Sequence, residues 1–88
     1  MEFEWDENKR LVNLEKHGLD FRDVDLVFDD KVAVVPSKHS SEERFLAIGL
    51  LEGRFVAIVY TLRGEAYRII SFRRARNEEK ARYQELYG

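Results

Sequence analysis

Residues 44–74 read RFLAIGLLEGRFVAIVYTLRGEAYRIISFRR, and this stretch decides the fold. Three runs rich in β-branched, aliphatic and aromatic residues are separated by Glu52-Gly53 and Arg63-Gly64. Such runs joined by short, glycine-containing connections predict an antiparallel meander. Strands are expected at 44–50, 54–62 and 66–74. A shorter apolar run at 31–35 stops at Pro36, the sole proline, as an edge strand does. The sheet is therefore expected to have four strands.

Working outward, the flanks read as helices. Asp6 is a good N-cap, and Gly18 closes a helix ending near His17. Leu11 and Leu14 are expected to face the core. Lys9, Asn13 and Lys16 share another face, and Trp5 packs inward ahead of the cap. A second helix runs from Asp20 to about Phe28, with Leu19 and Val24 placed as a staple across its cap and Phe21, Val24 and Phe28 on its apolar face. A third starts near Asn77 with Glu78 and Glu79 in its first turn, where the helix dipole favours acids, and runs to about Leu86. Tyr83 and Tyr87, one turn apart, are expected to dock it. Helices packed on an antiparallel sheet make an α+β fold.

The chain has 88 residues, 44% of them apolar and 36% charged, which describes one folded domain spanning 1–88. There is no cysteine, so disulfides, thiolate zinc sites and thiol nucleophiles are excluded. No apolar run approaches the ~18 residues of a membrane span. The N-terminus is acidic and lacks the apolar segment of a signal peptide, so the expected location is the cytoplasm. No Gly-rich phosphate loop or dinucleotide fingerprint appears, and no cofactor is expected. His39, Glu42 and Glu43 make only a weak metal-ligand set, and no metal is expected.

The net charge is −2, but it is unevenly spread. Residues 1–44 hold seven Lys/Arg against twelve Asp/Glu; residues 45–88 hold eight against five, and seven of those eight are arginine. Arginine suits bidentate phosphate contact, so a polyanion is expected to bind the second half. The cluster Arg68, Arg73, Arg74 and Arg76 repels itself unless an anion or an acid sits near it. On strand alternation, Arg68 and Arg74 share a face with Ile70 and Phe72, while Tyr67, Ser71 and Arg73 share the other with Ile69. The local pattern favours a carboxylate from Glu42, Glu43 or the last helix over a phosphodiester as the partner. Lys9, Asn13 and Lys16 read as a solvated stripe or as phosphate contacts. His17, at a helix C-terminus, is favoured by the dipole as imidazolium, and it either caps the helix or moves protons. Glu43 either accepts a proton or pairs with an arginine. Tyr60 and Tyr67 either stack bases or pack, and packing is the default for strand aromatics.

Four pieces in order carry a resemblance. They are Phe3-Glu4-Trp5-Asp6-Glu7-Asn8-Lys9; Asn13-Leu14-Glu15-Lys16-His17-Gly18 running into Phe21; Glu43-Arg44 before Ile48-Gly49; and Arg68-Ile69-Ile70-Ser71 with Arg73-Arg74-Ala75. Together they resemble the BrnT family of toxins from bacterial type II toxin–antitoxin systems. The resemblance implies a RelE-like fold: two N-terminal helices, a four-stranded bent antiparallel sheet, and a C-terminal helix packed on it. It implies an endoribonuclease that slows translation, and a BrnA-like antitoxin partner with a ribbon-helix-helix DNA-binding half, through which alone the pair would touch operator DNA. The family's residues map onto Lys16, His17, Glu43, Arg44, Arg68, Ser71, Arg73, Arg74 and, more weakly, Tyr83. Phe72 stands where the family pattern has a small residue, and it either reshapes the strand end or fills a gap in the core.

These residues suggest metal-free chemistry. A base takes the ribose 2′-OH proton, the oxygen attacks the adjacent phosphorus, and an acid protonates the leaving 5′ oxygen. Arg68, Arg73 and Arg74 are expected to stabilise the phosphoryl charge. Lys16, His17 and Glu43 compete for the proton transfers, with Lys9, Arg44, Ser71 and Tyr83 as RNA contacts. Two other readings stand beside this one: a non-catalytic antitoxin-binding corepressor module, and a simple RNA-binding domain.

Overall fold

The computed structural model describes residues 1–37 and 42–88. The elements run β1 (Glu2–Glu4), α1 (Glu7–His17), a 3-10 turn (Phe21–Asp23) leading into α2 (Val24–Phe28), β2 (Ala33–Ser37), β3 (Arg44–Leu51), β4 (Arg54–Arg63), β5 (Ala66–Arg74) and α3 (Asn77–Tyr87). The fold is α+β, and its sheet has the order β1-β5-β4-β3-β2. The four expected strands form the antiparallel meander β2 to β5.

The strand count needs correcting. β1 is a fifth strand and pairs parallel with β5, with Glu2 opposite Ala66 and Glu4 opposite Arg68, so the sheet is mixed. Side chains hold this short strand in place. The Phe3 ring meets Phe28 at 5.4 Å and Tyr67 at 5.8 Å, and Glu4 accepts a 2.8 Å hydrogen bond from Arg68.

The chain turns as its local chemistry dictates. Glu52 and Gly53 both take positive φ (51° and 77°), as the two central residues of a type I′ hairpin turn must. The next turn falls one residue later than expected, on Gly64-Glu65. Asp6 caps α1, accepting from the Asn8 amide at 2.8 Å, and Gly18 closes it with a 2.8 Å bond to the Leu14 carbonyl.

Two layers cover the sheet. Phe21, Val24 and Val27 pack with Ala47, Val56, Ile58, Tyr60, Ile69 and Phe72 on one face. Trp5 and Phe28 close over this cluster, and Tyr60 stacks on Tyr67 at 5.1 Å, so both strand tyrosines are packing residues. Gly49 lets α2 approach this closely, since a Cβ there would sit 2.8 Å from a methyl of Val27. On the other face, Ala33, Leu46, Ile48 and Ala57 pack with Tyr83 of α3. Tyr83 meets Phe55 at 5.4 Å and Tyr87 at 4.9 Å, and the Tyr87 hydroxyl donates to the Val32 carbonyl at 2.8 Å, so both tyrosines dock the helix as expected.

Two further expectations are corrected. The first concerns β5. Ser71 pairs with Val59 and Ile69 pairs with Tyr60, so Ile70 is an extra residue in a β-bulge. The bulge reverses the alternation beyond it. Tyr67, Ile69, Phe72 and Arg74 share the face of Tyr60 and Val56, while Arg68, Ser71 and Arg73 share the other. The second concerns α1, which buries Arg10 and Asn13 and leaves Leu11 50% and Val12 64% exposed. Its inward face is polar because Asn13 meets the β5 edge, where backbone groups need partners, and Arg10 pairs with Glu7 and Asp20.

Candidate functional site

The site is built around Asn13. Beyond the three residues that β1 covers, the outer edge of β5 is open, and Asn13 takes the place of a pairing strand there. Its amide nitrogen donates to the Phe72 carbonyl at 2.8 Å and to the Leu19 carbonyl at 3.1 Å, and its oxygen accepts from the Phe72 amide at 3.1 Å. Asn13 is therefore a buried clamp, not part of a solvated stripe. Phe72 itself is fully buried in the core, so it fills the interior.

The clamp fixes the distance between α1 and the bulge, and an open groove of about 320 Å³ lies there. Asn8, Lys9, Val12, Asn13, Lys16 and His17 line one wall, and Ile70 and Ser71 the other. The bulge aims Ile70 into this space instead of along the sheet. Lys9, Lys16 and His17 of α1 meet Ser71 of β5 here. Burial, and then the positive charges of Lys16 and Arg73, hold the His17 imidazole below its ordinary pKa. The helix dipole favours imidazolium, and burial and the two charges work against it.

The arginines separate. Arg73 points towards α3, where it makes two hydrogen bonds with Glu79, at 2.8 and 2.9 Å. Glu79 also accepts from the Arg76 amide at 2.8 Å, capping the start of α3. The hydrogen bond from Arg73 outweighs desolvation and lowers the Glu79 pKa. Arg74 points to the opposite face, into a second groove with Gly18, Leu19, Leu51, Glu52, Arg54 and Val56. Arg73 and Arg74 are thus on opposite sides of the sheet, as strand alternation predicts, and the bulge puts Arg68 on the side of Arg73 instead of that of Arg74.

Glu43, Arg44 and Arg68 lie at the other end of the strands. Arg68 is opposite Thr61 on β4, and the Thr61 hydroxyl donates to the Glu43 carbonyl at 2.6 Å. Arg68 pairs with Glu4 at 2.8 Å, and Arg44 pairs with Glu42 at 2.9 Å. Arg73 follows Arg68 by five positions along β5, so this end is on the order of 15 Å from the His17 end. Tyr83 is only 7% exposed beneath α3 and offers no contact surface. His39, of the weak metal set, lies outside the described residues.

Glu79 is the last-helix carboxylate that the local pattern favours as an arginine's partner, and it pairs with Arg73. One residue escapes the sequence reading: Arg54, which joins Arg74 in the second groove. For Arg54 there was no signal, because its neighbour is supplied by another strand.

The geometry is that of a small α+β domain with a cationic groove beside a half-buried histidine. The family model for BrnT, a ribonuclease toxin of type II toxin–antitoxin systems, matches residues 5–79. The chain belongs to the BrnT family. No curated protein matches it. No helix among the described residues is long and apolar enough to cross a membrane.

Proposed function

We propose that this chain is a metal-independent endoribonuclease toxin that cuts RNA in the groove between α1 and β5. The observation that carries the reading is the meeting there of Lys9, Lys16, His17 and Ser71, with the His17 imidazole held towards its neutral form. A neutral imidazole accepts a proton. In this reading His17 takes the ribose 2′-OH proton. The O2′ attacks the adjacent phosphorus in line, forming the O2′–P bond as the P–O5′ bond breaks. Lys16 gives its proton to the departing 5′ oxygen. Lys9 and Ser71 hold the phosphoryl oxygens, and Arg73 adds positive potential from behind its pair with Glu79. The products are a 2′,3′-cyclic phosphate and a 5′-hydroxyl, so DNA is not a substrate.

The donor set supports chemistry without a metal ion. The described lining side chains are two lysines, two amides, one imidazole, one hydroxyl and two apolar groups and include no carboxylate, a poor set for a hard divalent cation. Glu43, Arg44 and Arg68 do not converge on this groove, and we assign them at most to RNA lying further along the sheet. Membership of a type II family implies an antitoxin. We propose a BrnA-like ribbon-helix-helix protein that links the toxin to operator DNA. Loss of message would slow translation in the cytoplasm.

The test is RNA cleavage by the purified chain in excess EDTA, with cyclic-phosphate ends assayed. His17→Ala is expected to lower the rate by about 10²–10⁴, the usual range for a general acid–base group. The wild-type kcat/KM is expected to rise with pH through a midpoint below 6.5, the ordinary histidine value. Intact RNA from the folded wild type, on free and on ribosome-bound message, would return the chain to the corepressor reading. Unchanged cleavage by His17→Ala would move the site elsewhere.

A further inference from the structure

The second groove has no role in the cleavage chemistry above, and its side chains look unfinished. It has a volume of about 380 Å³ and borders the residues that follow His17 directly. Arg74 lies opposite Val56 on β4, and Arg54 is two residues away on the same face, a diagonal spacing of roughly 7–8 Å between backbones. Six of the ten arginines hold a carboxylate: Arg10, Arg22, Arg44, Arg63, Arg68 and Arg73. Arg54 and Arg74 hold none among the described residues, although Glu52 lines the same groove. Two guanidiniums at this spacing repel each other, and one carboxylate leaves a net positive charge. An anion relieves that repulsion without breaking an existing ion pair. The last turn of α1 ends here and its dipole opposes an anion, so binding has to come from the guanidiniums themselves.

The two grooves share a wall. Asn13 lines the first and donates to the carbonyl of Leu19, which lines the second. His17 borders one and Gly18 the other. A strand of RNA with its reacting phosphate at His17 therefore has a cationic path around the C-terminal end of α1.

We infer that Arg54 and Arg74 form a second phosphate subsite, which grips the RNA backbone on one side of the scissile bond. The inference rests on the ribonuclease reading for its direction, but it can be tested without turnover. The probes are 2′-O-methyl oligoribonucleotides, which cannot be cleaved, of about four and about twelve nucleotides, within the range of single-strand site sizes. Affinity is read by fluorescence anisotropy across a salt series, for the wild type, Arg54→Ala, Arg54→Lys and Arg74→Ala. Thermal melts establish that each variant is folded.

Arg54→Ala and Arg74→Ala are each expected to weaken the long probe about five- to ten-fold. Each should also lower its salt slope by about 0.7, the value for one phosphate contact on a single strand. The short probe should change less than two-fold, and Arg54→Lys should recover most of the loss. Equal losses on both probes, no loss on the long one, or a folded wild type that binds neither would overturn the subsite. Length-dependent losses in a protein that cleaves no RNA would keep the subsite and remove the ribonuclease reading. Cleavage lost in His17→Ala, with no length-dependent effect of Arg54 or Arg74, would do the reverse.

Discussion

The two ends of β5 handle charge in opposite ways. At the β1 end, Arg68 and Arg63 reach Glu4, and nearby Arg44 reaches Glu42. At the α1 end, Lys9 and Lys16 line an open groove beside His17, and Arg54 and Arg74 line another. Both ends are basic in the sequence. Only the second offers charge that a polyanion can use without displacing a carboxylate. A count of arginines therefore misleads about which end is open to a polyanion, because what matters is which of them are already satisfied.

The contrast breaks most visibly at Asn13. This side chain makes three hydrogen bonds, two of them to the buried backbone of Phe72, and so holds α1 against β5. Asn13→Ala leaves the Phe72 amide and carbonyl without partners and is expected to cost about 2–3 kcal/mol of stability. Chemical denaturation measures this directly. A loss below experimental error would mean that water replaces the clamp and that the groove does not depend on it. RNA cleavage should fall beyond what the unfolded fraction explains, since both groove walls hang on this residue.

A gentler change compares the two ends as RNA contacts. Lys9→Ala with Lys16→Ala is expected to weaken RNA binding about ten-fold and to lower the salt slope by about 1.4, two phosphate contacts' worth. Arg44→Ala with Arg68→Ala should weaken it less than three-fold, because the wild-type guanidiniums already hold carboxylates. The reverse ranking would place the RNA at the β1 end, together with Glu43.

How much of this could be read from the sequence follows from range. The α1 boundaries, the hairpin turns and the start of α3 each depend on residues within four positions, and the pattern showed them, the second turn to within one residue. The apolar strands were clear because period-2 runs bounded by glycine have few other readings. The bulge at Ile70 was hidden, because Arg68 to Arg74 alternates well enough to pass as a regular strand. β1 was hidden too. Three residues, two of them acidic, show no period, and their partner is 64 positions away. Asn13 looked solvated because its neighbours on the helix face are lysines, and Leu11 looked buried because it is leucine. The open edge of β5 reversed both. At the site, the resemblance supplied residue types and the local pattern a last-helix carboxylate as an arginine's partner, while the pairing of Arg68 with Glu4 arises only on folding.

The smallest expected effect concerns acid, and it tests whether the helical layer holds independently of the grooves. Asp20 caps the 3-10 turn through the Arg22 amide at 2.9 Å, and both Arg10 and Arg22 donate to its carboxylate. Burial works against its ionisation, but the Arg22 amide and the two guanidiniums outweigh it and hold the carboxyl at about 2. The ordinary value is 3.8, so the folded chain binds a proton here less readily than the unfolded one. The stabilisation is therefore complete above about pH 4 and is lost as pH falls towards 2. Asp20 is partly solvated, so screening reduces the contribution to on the order of 1 kcal/mol. Asp20→Asn keeps much of the side chain's shape and removes the charge. It should lower the melting temperature at pH 6 and make no difference at pH 2, with RNA affinity at pH 6 within error of wild type. If the variant melts with the wild type at both values, the Asp20 cluster is not what resists acid. If RNA affinity falls with it, the helical layer and the cationic end of β5 are coupled, and the separation drawn between them fails.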